Sequence, residues 1–261
     1  MNPTSTFIVD TYLMTKRSTI AIFRNPFIFI PNIIISLFFL VVYQAGLSGI
    51  SNIPAFDGAS YLAFILPVSI VSGAIGGSGG AGQSLVRDLE NGYFSRLLLT
   101  PTSRIAIVLG PIIAGMIQLF IQTVLILLVG LWMGLEIAAG FGGAIVVILL
   151  AAGFGLAFAG YSVAFALKTK DAQASQAGTF VFFPLVFLST TFVPYELIEA
   201  DWLKFVSKIN PTTYIFDGMR SVLIEGWEAE PLLYAALVIV LICSITITFA
   251  SLSAKKAVSR D

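Results

Sequence analysis

The chain has 261 residues, a formal net charge of zero and a mean hydropathy of +0.96, with 57% of residues hydrophobic and only 11% charged. A soluble domain carries about 25% charged residues, so lipid must be the solvent for much of this surface, and the balanced charge gives no support to polyanion binding. Histidine is absent and Cys243 is the single cysteine, which removes the commonest metal ligand and proton shuttle and any intrachain disulfide.

At the N-terminus, Phe7, Ile8, Tyr12, Ile20 and Phe23 interleave with Asp10, Lys16 and Arg17. This pattern suits a helix lying in the membrane interface better than a loosely ordered tail. A secretory signal is not expected, because the apolar stretch that follows exceeds the roughly 7–15 residues of such a segment and no small-residue cleavage site closes it.

A bilayer core about 30 Å thick needs about 20 mostly apolar residues as helix. Six stretches qualify: 26–47, 61–83, 105–133, 141–167, 172–193 and 231–253. They sort the connecting segments onto two sides. The N-terminus, the 84–104 and 168–171 loops and the C-terminus together hold 11 Lys/Arg and 5 Asp/Glu, whereas the 48–60, 134–140 and 194–230 segments hold 3 Lys/Arg and 9 Asp/Glu. The excess of basic residues makes the first side cytoplasmic, with both termini inside.

Within 61–83, Gly77, Gly79 and Gly82 form GSGGAG, a formal match to a dinucleotide fingerprint. That fingerprint needs a preceding strand. Here the glycines end a membrane segment, where small residues let helices approach closely. No Walker A, G-x-S-x-G or H-E-x-x-H sequence occurs, and none of the six span interiors contains Asp, Glu, Lys or Arg. Coupled secondary transporters commonly carry such groups. The polar residues inside the spans are amides and hydroxyls, chiefly Asn32, Gln44, Gln118, Gln122, Gln173 and Gln176. Helix packing is the first reading of Gln118 and Gln122, four apart on one face; lining a polar route is the second.

The 84–104 loop, SLVRDLENGYFSRLLLTPTSR, combines dense charge with the apolar run Leu97–Leu99. Pro101 blocks helix continuation and Ser103 is placed to cap the next helix. A short helix here suits docking to a soluble partner; an ordinary basic loop is the alternative. Farther on, Trp202, Phe205, Val206 and Ile209 fall at helical spacing between Lys204 and Lys208, Asn210-Pro211 makes a break, and a second apolar pattern runs from Thr212 to about Ile224. Asp217 and Arg220 are three apart and placed to pair. Neither piece is long enough to span. They read as two partly inserted outer helices, or else as surface helices capping the bundle.

These motifs resemble the membrane subunit of an ABC transporter of the ABC-2 type, similar to daunorubicin-resistance-type permeases and polysaccharide and teichoic-acid exporters, over nearly the whole chain. Three features carry the resemblance: Arg24-Asn25-Pro26; Arg87-Asp88-Leu89-Glu90-Asn91-Gly92 followed by Arg96-Leu97-Leu98-Leu99-Thr100-Pro101 and Arg104; and Phe187-Leu188-Ser189, Pro194, Trp202, Asn210-Pro211-Thr212-Thr213-Tyr214 and Arg220. Tyr93 and Phe94 stand where relatives often have a small residue or Thr.

The resemblance implies an all-α membrane protein with the type V exporter fold: six transmembrane helices in one domain over 1–261, an N-terminal interfacial helix in 1–25, a cytoplasmic coupling helix in 84–104 and re-entrant outer helices in 194–230. It also implies a separate ATPase subunit that holds ATP and magnesium, so that this chain carries no catalytic residue, cofactor or metal. Arg87, Asp88, Glu90, Gly92, Arg96, Leu97, Leu98, Thr100 and Pro101 are the expected ATPase contact, and Pro194, Trp202, Asn210, Pro211, Tyr214, Asp217 and Arg220 the expected outer region. The first, second and fifth spans are expected to line a route, with Asn32, Gln44 and Gln176 as candidates, between this chain and a second copy or similar permease. The expected role is export of a hydrophobic or lipid-linked drug, lipid or glycan across the cell (inner) membrane, with no nucleic-acid partner. A secondary transporter or channel acting without an ATPase is the runner-up, ahead of a membrane enzyme or a scaffold.

Overall fold

The computed structural model describes residues 3–49, 60–192 and 194–258, and every regular element among them is helical. In chain order these are α1 (Pro3–Phe23), α2 (Pro26–Leu47), α3 (Tyr61–Gly76), α4 (Gly80–Glu90), α5 (Tyr93–Leu98), α6 (Arg104–Trp132), α7 (Gly140–Thr169), α8 (Ala172–Phe180), α9 (Phe182–Phe187), α10 (Asp201–Ile209), α11 (Pro211–Arg220) and α12 (Ala229–Val258). Among the described residues, five helical stretches are long and apolar enough to cross a bilayer: Phe29–Leu47, Tyr61–Glu90, Arg104–Trp132, Gly140–Thr169 and Ala229–Ser253.

The stretch expected as a single span over 172–193 is instead two short helices, α8 and α9, separated at Val181. Pro184 accounts for the break: it has no N–H to give the Phe180 carbonyl, and its ring crowds that carbonyl. Asp171 starts α8 by accepting the Ala174 N–H at 2.6 Å.

α3 is hydrophobic all round, and such a helix belongs inside; nearly all its residues are buried. It packs beside α2, α6, α7 and α9 in the larger apolar core. A second core lies toward the other end, where Leu85, Phe94, Leu97, Ile107, Ile112, Val163 and Leu167 pack together. α7 joins the two. Its segment AAGFGLAFAG is rich in small residues, which allow close helix approach where lipid offers no hydrophobic drive. A Cβ on Gly155 would lie 3.1 Å from Leu119 of α6, and one on Gly160 would lie 2.8 Å from Thr246 of α12. α2 and α12 expose Ile34, Phe38, Leu237, Leu241 and Ile245, as expected where the solvent is lipid.

The two ends differ in charge. The basic end gathers α1, the 84–104 segment and the α7–α8 junction: Asp10 accepts the Ser103 N–H at 3.0 Å, and Gln83 of α4 donates to Gln176 of α8. Ser103 stands at the N-cap of α6 as expected, but makes no side-chain cap bond. The acidic end holds 134–139 and the outer region. There a π-helical turn, Ser221–Glu225, follows α11. The Ala138 and Ala139 N–H groups donate to the Leu223 and Val222 carbonyls at 3.1 and 3.0 Å, docking the α6–α7 loop on that turn. Trp132, Trp202 and Trp227 are all exposed at this end, the placement of an interfacial aromatic belt.

Candidate partner surface and intramembrane cleft

At the basic end the chain makes an elbow. α4 closes at Glu90, Gly92 takes a left-handed φ of 68°, and α5 begins at Tyr93. A glycine is favoured there because a Cβ in that conformation meets the following carbonyl. The elbow has an inner and an outer side. Leu85, Val86, Phe94 and Leu97 turn inward; Arg87, Glu90, Arg96, Thr100, Pro101 and Arg104 face outward, and Leu99 is 88% exposed. Thus Leu97, expected on the partner surface, is only 8% exposed and supports the elbow from within. The Leu98 side chain lies outside the described residues. Thr100 Oγ1 donates to the Leu97 carbonyl at 2.6 Å and closes the last turn of α5.

Asp88, also expected on that surface, is held from inside. Arg17 of α1 donates from Nη1 and Nη2 to its two carboxylate oxygens at 2.8 and 2.6 Å, while the same guanidinium lies 3.9 Å from the centre of the Tyr93 ring. Bidentate charge-assisted bonds of this kind are the stronger class. The bonding to Asp88 pushes the Arg17 pKa up. Arg17, Asp10 and Leu99 are three residues of this surface and its support that were not among the expected contact residues. Arg17 and Asp88 are 71 positions apart, so no helical spacing connects them.

Deeper in, a cleft of about 360 Å³ opens between α2, the α3–α4 junction and α8–α9. Asn32 and Gln176 both line it, with Ser72, Gln83, Phe39 and Phe183 among their neighbours. Gln44 does not; it lies three turns farther along α2, toward the acidic end. No lining residue of this cleft carries a charge. Beside it, Gln122 of α6 donates to Ser36 Oγ at 2.7 Å and to the Asn32 carbonyl at 3.3 Å, so Gln122 serves helix packing. Glycine makes the arrangement possible: a Cβ on Gly76 would fall 1.9 Å from Asn32 Oδ1, and one on Gly73 2.0 Å from Gln122 Nε2. The GSGGAG segment packs closely as well, a Cβ on Gly79 falling 2.6 Å from Thr179 Cγ2 of α8. Gly82 belongs to it too, its N–H donating to Ser162 Oγ at 3.2 Å.

In the outer region Asn210 is buried between two helices. Its Nδ2 donates to the Leu185 and Leu188 carbonyls at 2.6 and 2.9 Å, and its Oδ1 accepts from the Thr212 N–H at 3.0 Å. One side chain thus satisfies the end of α9 and the start of α11, where Pro211 takes the first helical position. Tyr214 donates to the Lys208 carbonyl at 2.7 Å, tying α11 back to α10. Pro194 precedes a 3-10 turn, Tyr195–Leu197, and Trp202 stands exposed on α10 with Phe205 and Ile209.

Arg220 is the buried cation of this region. Its Nε donates to the Phe64 carbonyl at 3.0 Å, Nη1 to Thr190 Oγ1 at 3.1 Å and Nη2 to the Thr191 carbonyl at 3.3 Å. The guanidinium lies 3.5 Å from the centre of the Phe64 ring. Asp217 pairs with it, as the spacing predicts, but at 3.8 Å and with a carboxylate side chain 46% exposed. Burial lowers the Arg220 pKa to about 10, with Asp217 opposing the shift, so it stays cationic at neutral pH. Arg220 is accordingly a fork joining α11, α3 and the turn at 188–191.

Comparison with known proteins points to a family. Residues 9–224 match the family described as ABC-2 type transporter. The chain is 29% identical over 220 residues to a putative transport permease, ycf38, of Cyanophora paradoxa, covering 82% of this chain and 74% of that protein. It is 24% identical over 232 residues to a probable doxorubicin resistance ABC transporter permease protein, DrrC, of Mycobacterium tuberculosis (strain H37Rv), covering 89% and 83%.

Proposed function

The chain belongs to the ABC-2 type transporter family, and from that premise we propose that it is the membrane subunit of an ATP-driven exporter whose ATPase is a separate chain seated on the α4–α5 elbow. The observation that carries this reading is the elbow itself. Its apolar side is anchored in the protein's own core, while its outward side presents Arg87, Glu90, Arg96 and the bare Leu99. A loop kept basic only by topology has no need of a bidentate brace such as Arg17–Asp88.

In this reading the basic end is cytoplasmic, the N- and C-terminal helices begin and end there, and α8–α9 completes six crossings as a broken helix. α10 and α11 form the re-entrant outer pair. ATP and magnesium belong to the ATPase. Its closure pushes the elbow, and the push reaches the membrane because α4 continues α3, is clamped to α1 by Arg17–Asp88 and sits against α7 at Gly82. The cleft beside Asn32 and Gln176 lies along the path of that motion, facing a second copy of this chain or a similar permease. Amides and hydroxyls there offer hydrogen bonds to a polar group of an otherwise apolar cargo without the cost of holding a charge in the membrane. Hydrophobic or lipid-linked molecules fit that lining, and the doxorubicin-resistance name of one relative supports a drug among them.

The test is purification of the tagged full chain from its host in mild detergent. A stoichiometric P-loop ATPase that is lost when residues 87–101 are replaced by a flexible linker supports both the exporter reading and the docking site. A chain that purifies alone, under conditions that keep other ABC complexes intact, and that moves solute without ATP would sink it in favour of a secondary transporter or channel.

A further inference from the structure

A second cavity lies at the basic end, bordering the intramembrane cleft at Gly80 and reaching the edge of the elbow's outward face at Arg87. It occupies about 210 Å³ between α1, α4 and α6, and its walls include Arg17, Arg87, Ser18, Ser84, Asn25 and Gln118. Asp88 is its one acid, and both oxygens of that carboxylate are taken by Arg17. The pair is self-neutralised, so Arg87 leaves the cavity with a net positive charge. Gln118 is 2% exposed, and its Nε2 has no hydrogen-bond partner among the described residues. An unpaired buried amide donor is costly, and helix packing, which explains Gln122, does not explain this one.

The cavity adjoins a groove along α1 that shares Arg17 and Ala21 with it and adds Lys16, Arg24, Leu13 and Ile20. The combined lining runs from cations and hydroxyls within to Leu13 and Ile20 without, beside which Lys16 and Arg24 also stand. Among the described residues of the two walls, Lys16, Arg24 and Arg87 remain as cations once Arg17 and Asp88 have neutralised each other. Such a gradient, at the level where an interfacial helix meets a bundle, matches a molecule with an anionic head and acyl chains, and basic pockets at that level recognise lipid headgroups.

We propose that this cavity is a binding site for the phosphate-bearing headgroup of an anionic phospholipid. The headgroup lies between Arg87, Ser84, Ser18 and Gln118, and its acyl chains follow Leu13 and Ile20 into the bilayer. Because α1 and α4 form the walls, the lipid completes the seat of the elbow from its membrane side. The inference does not require an ATPase: it stands or falls on lipid retention by this chain alone.

The experiment is native mass spectrometry of the purified full chain released from bilayers of phosphatidylglycerol and phosphatidylcholine mixed in equal amounts. The wild-type chain should retain phosphatidylglycerol in preference. Arg87→Gln, at an exposed position, should lower that preference about fivefold, the effect of about one basic contact near a membrane surface. Ser84→Leu fills the cavity while keeping every cation and should lower it at least as much; Lys168→Gln, a basic residue outside the cavity, should leave it unchanged. Equal retention of the two lipids, or equal loss in all three variants, would overturn the site in favour of diffuse surface charge. Displacement of the bound lipid by millimolar inorganic phosphate would overturn the lipid assignment and leave a phosphate-ion site.

Discussion

Replacing Arg220 should destabilise the protein far more than replacing its ion-pair partner. In Arg220→Met the fork to the Phe64 carbonyl, Thr190 Oγ1 and the Thr191 carbonyl is lost. Hydrogen bonds from a charged donor contribute about 1.5–3 kcal/mol each, but removing the buried cation also relieves a desolvation penalty of several kcal/mol. The two largely offset, and what remains is set by the acceptors left dry, about 1–3 kcal/mol each. A net loss of about 3 kcal/mol is expected. Asp217→Asn removes a 3.8 Å contact from a half-exposed carboxylate, worth about 1 kcal/mol or less, and keeps an amide oxygen to accept the bond that Thr190 Oγ1 donates at 3.3 Å. Arg220→Lys keeps the charge but offers a point rather than a fork and should fall between. The assay is thermal unfolding of the purified chain followed by a thiol-reactive dye at Cys243, which is partly buried on α12 against the Gly153 carbonyl. The expected order of midpoints is wild type, Asp217→Asn, Arg220→Lys, Arg220→Met. Equal losses in Asp217→Asn and Arg220→Met would place the energy in the ion pair and refute the fork; a stabilised Arg220→Met would mean that the buried cation is a net cost.

Three further outcomes are expected. Gly82→Ala should cost about 1–3 kcal/mol by overpacking, because its Cβ would lie 2.4 Å from the backbone oxygen of Ser162, whereas Gly80→Ala, with nothing within 4 Å, should be neutral; equal midpoints for the two would contradict the α4–α7 contact. Gly92→Leu forces a side chain into the left-handed region at a cost of about 1–2 kcal/mol and should reduce ATPase association while leaving membrane insertion intact, with Gly92→Asn milder, as read by co-purification; unchanged association in both would remove the elbow from the docking surface. A double-mutant cycle on Arg17→Gln and Asp88→Asn should give a coupling energy of about 1–2 kcal/mol, above the range of exposed pairs because the bonding is bidentate; additive effects would show that α1 and α4 are held by packing alone.

Much of the architecture follows from the sequence because it depends on periodicity and length. Long apolar runs without charge can satisfy their backbone in lipid only as helices, and α2, α6, α7 and α12 lie close to where those runs place them. The outer helices α10 and α11 are equally legible, since Asn210-Pro211 is both a stop and a start. The exception in the spans is instructive. Residues 172–193 are apolar enough to cross, yet Pro184 divides them, and hydropathy averages over the very residue that breaks the helix. At the elbow, composition marked the segment but not its two sides: Leu97 and Leu99 stand about 200° apart around the helix, and the turn at Gly92 decides which of them meets the core.

What the chain by itself determined is its solvent, its helices, the charge difference between its ends and the family motifs, all properties of neighbouring residues. Tertiary structure alone decided the pairings between distant ones. Arg17 found Asp88, Gln122 found Ser36, and Arg220 found Phe64, Thr190 and Thr191. The reason is physical: a polar group in an apolar bundle must be satisfied by whatever packing brings near it, and which helix that is depends on where glycines let backbones approach.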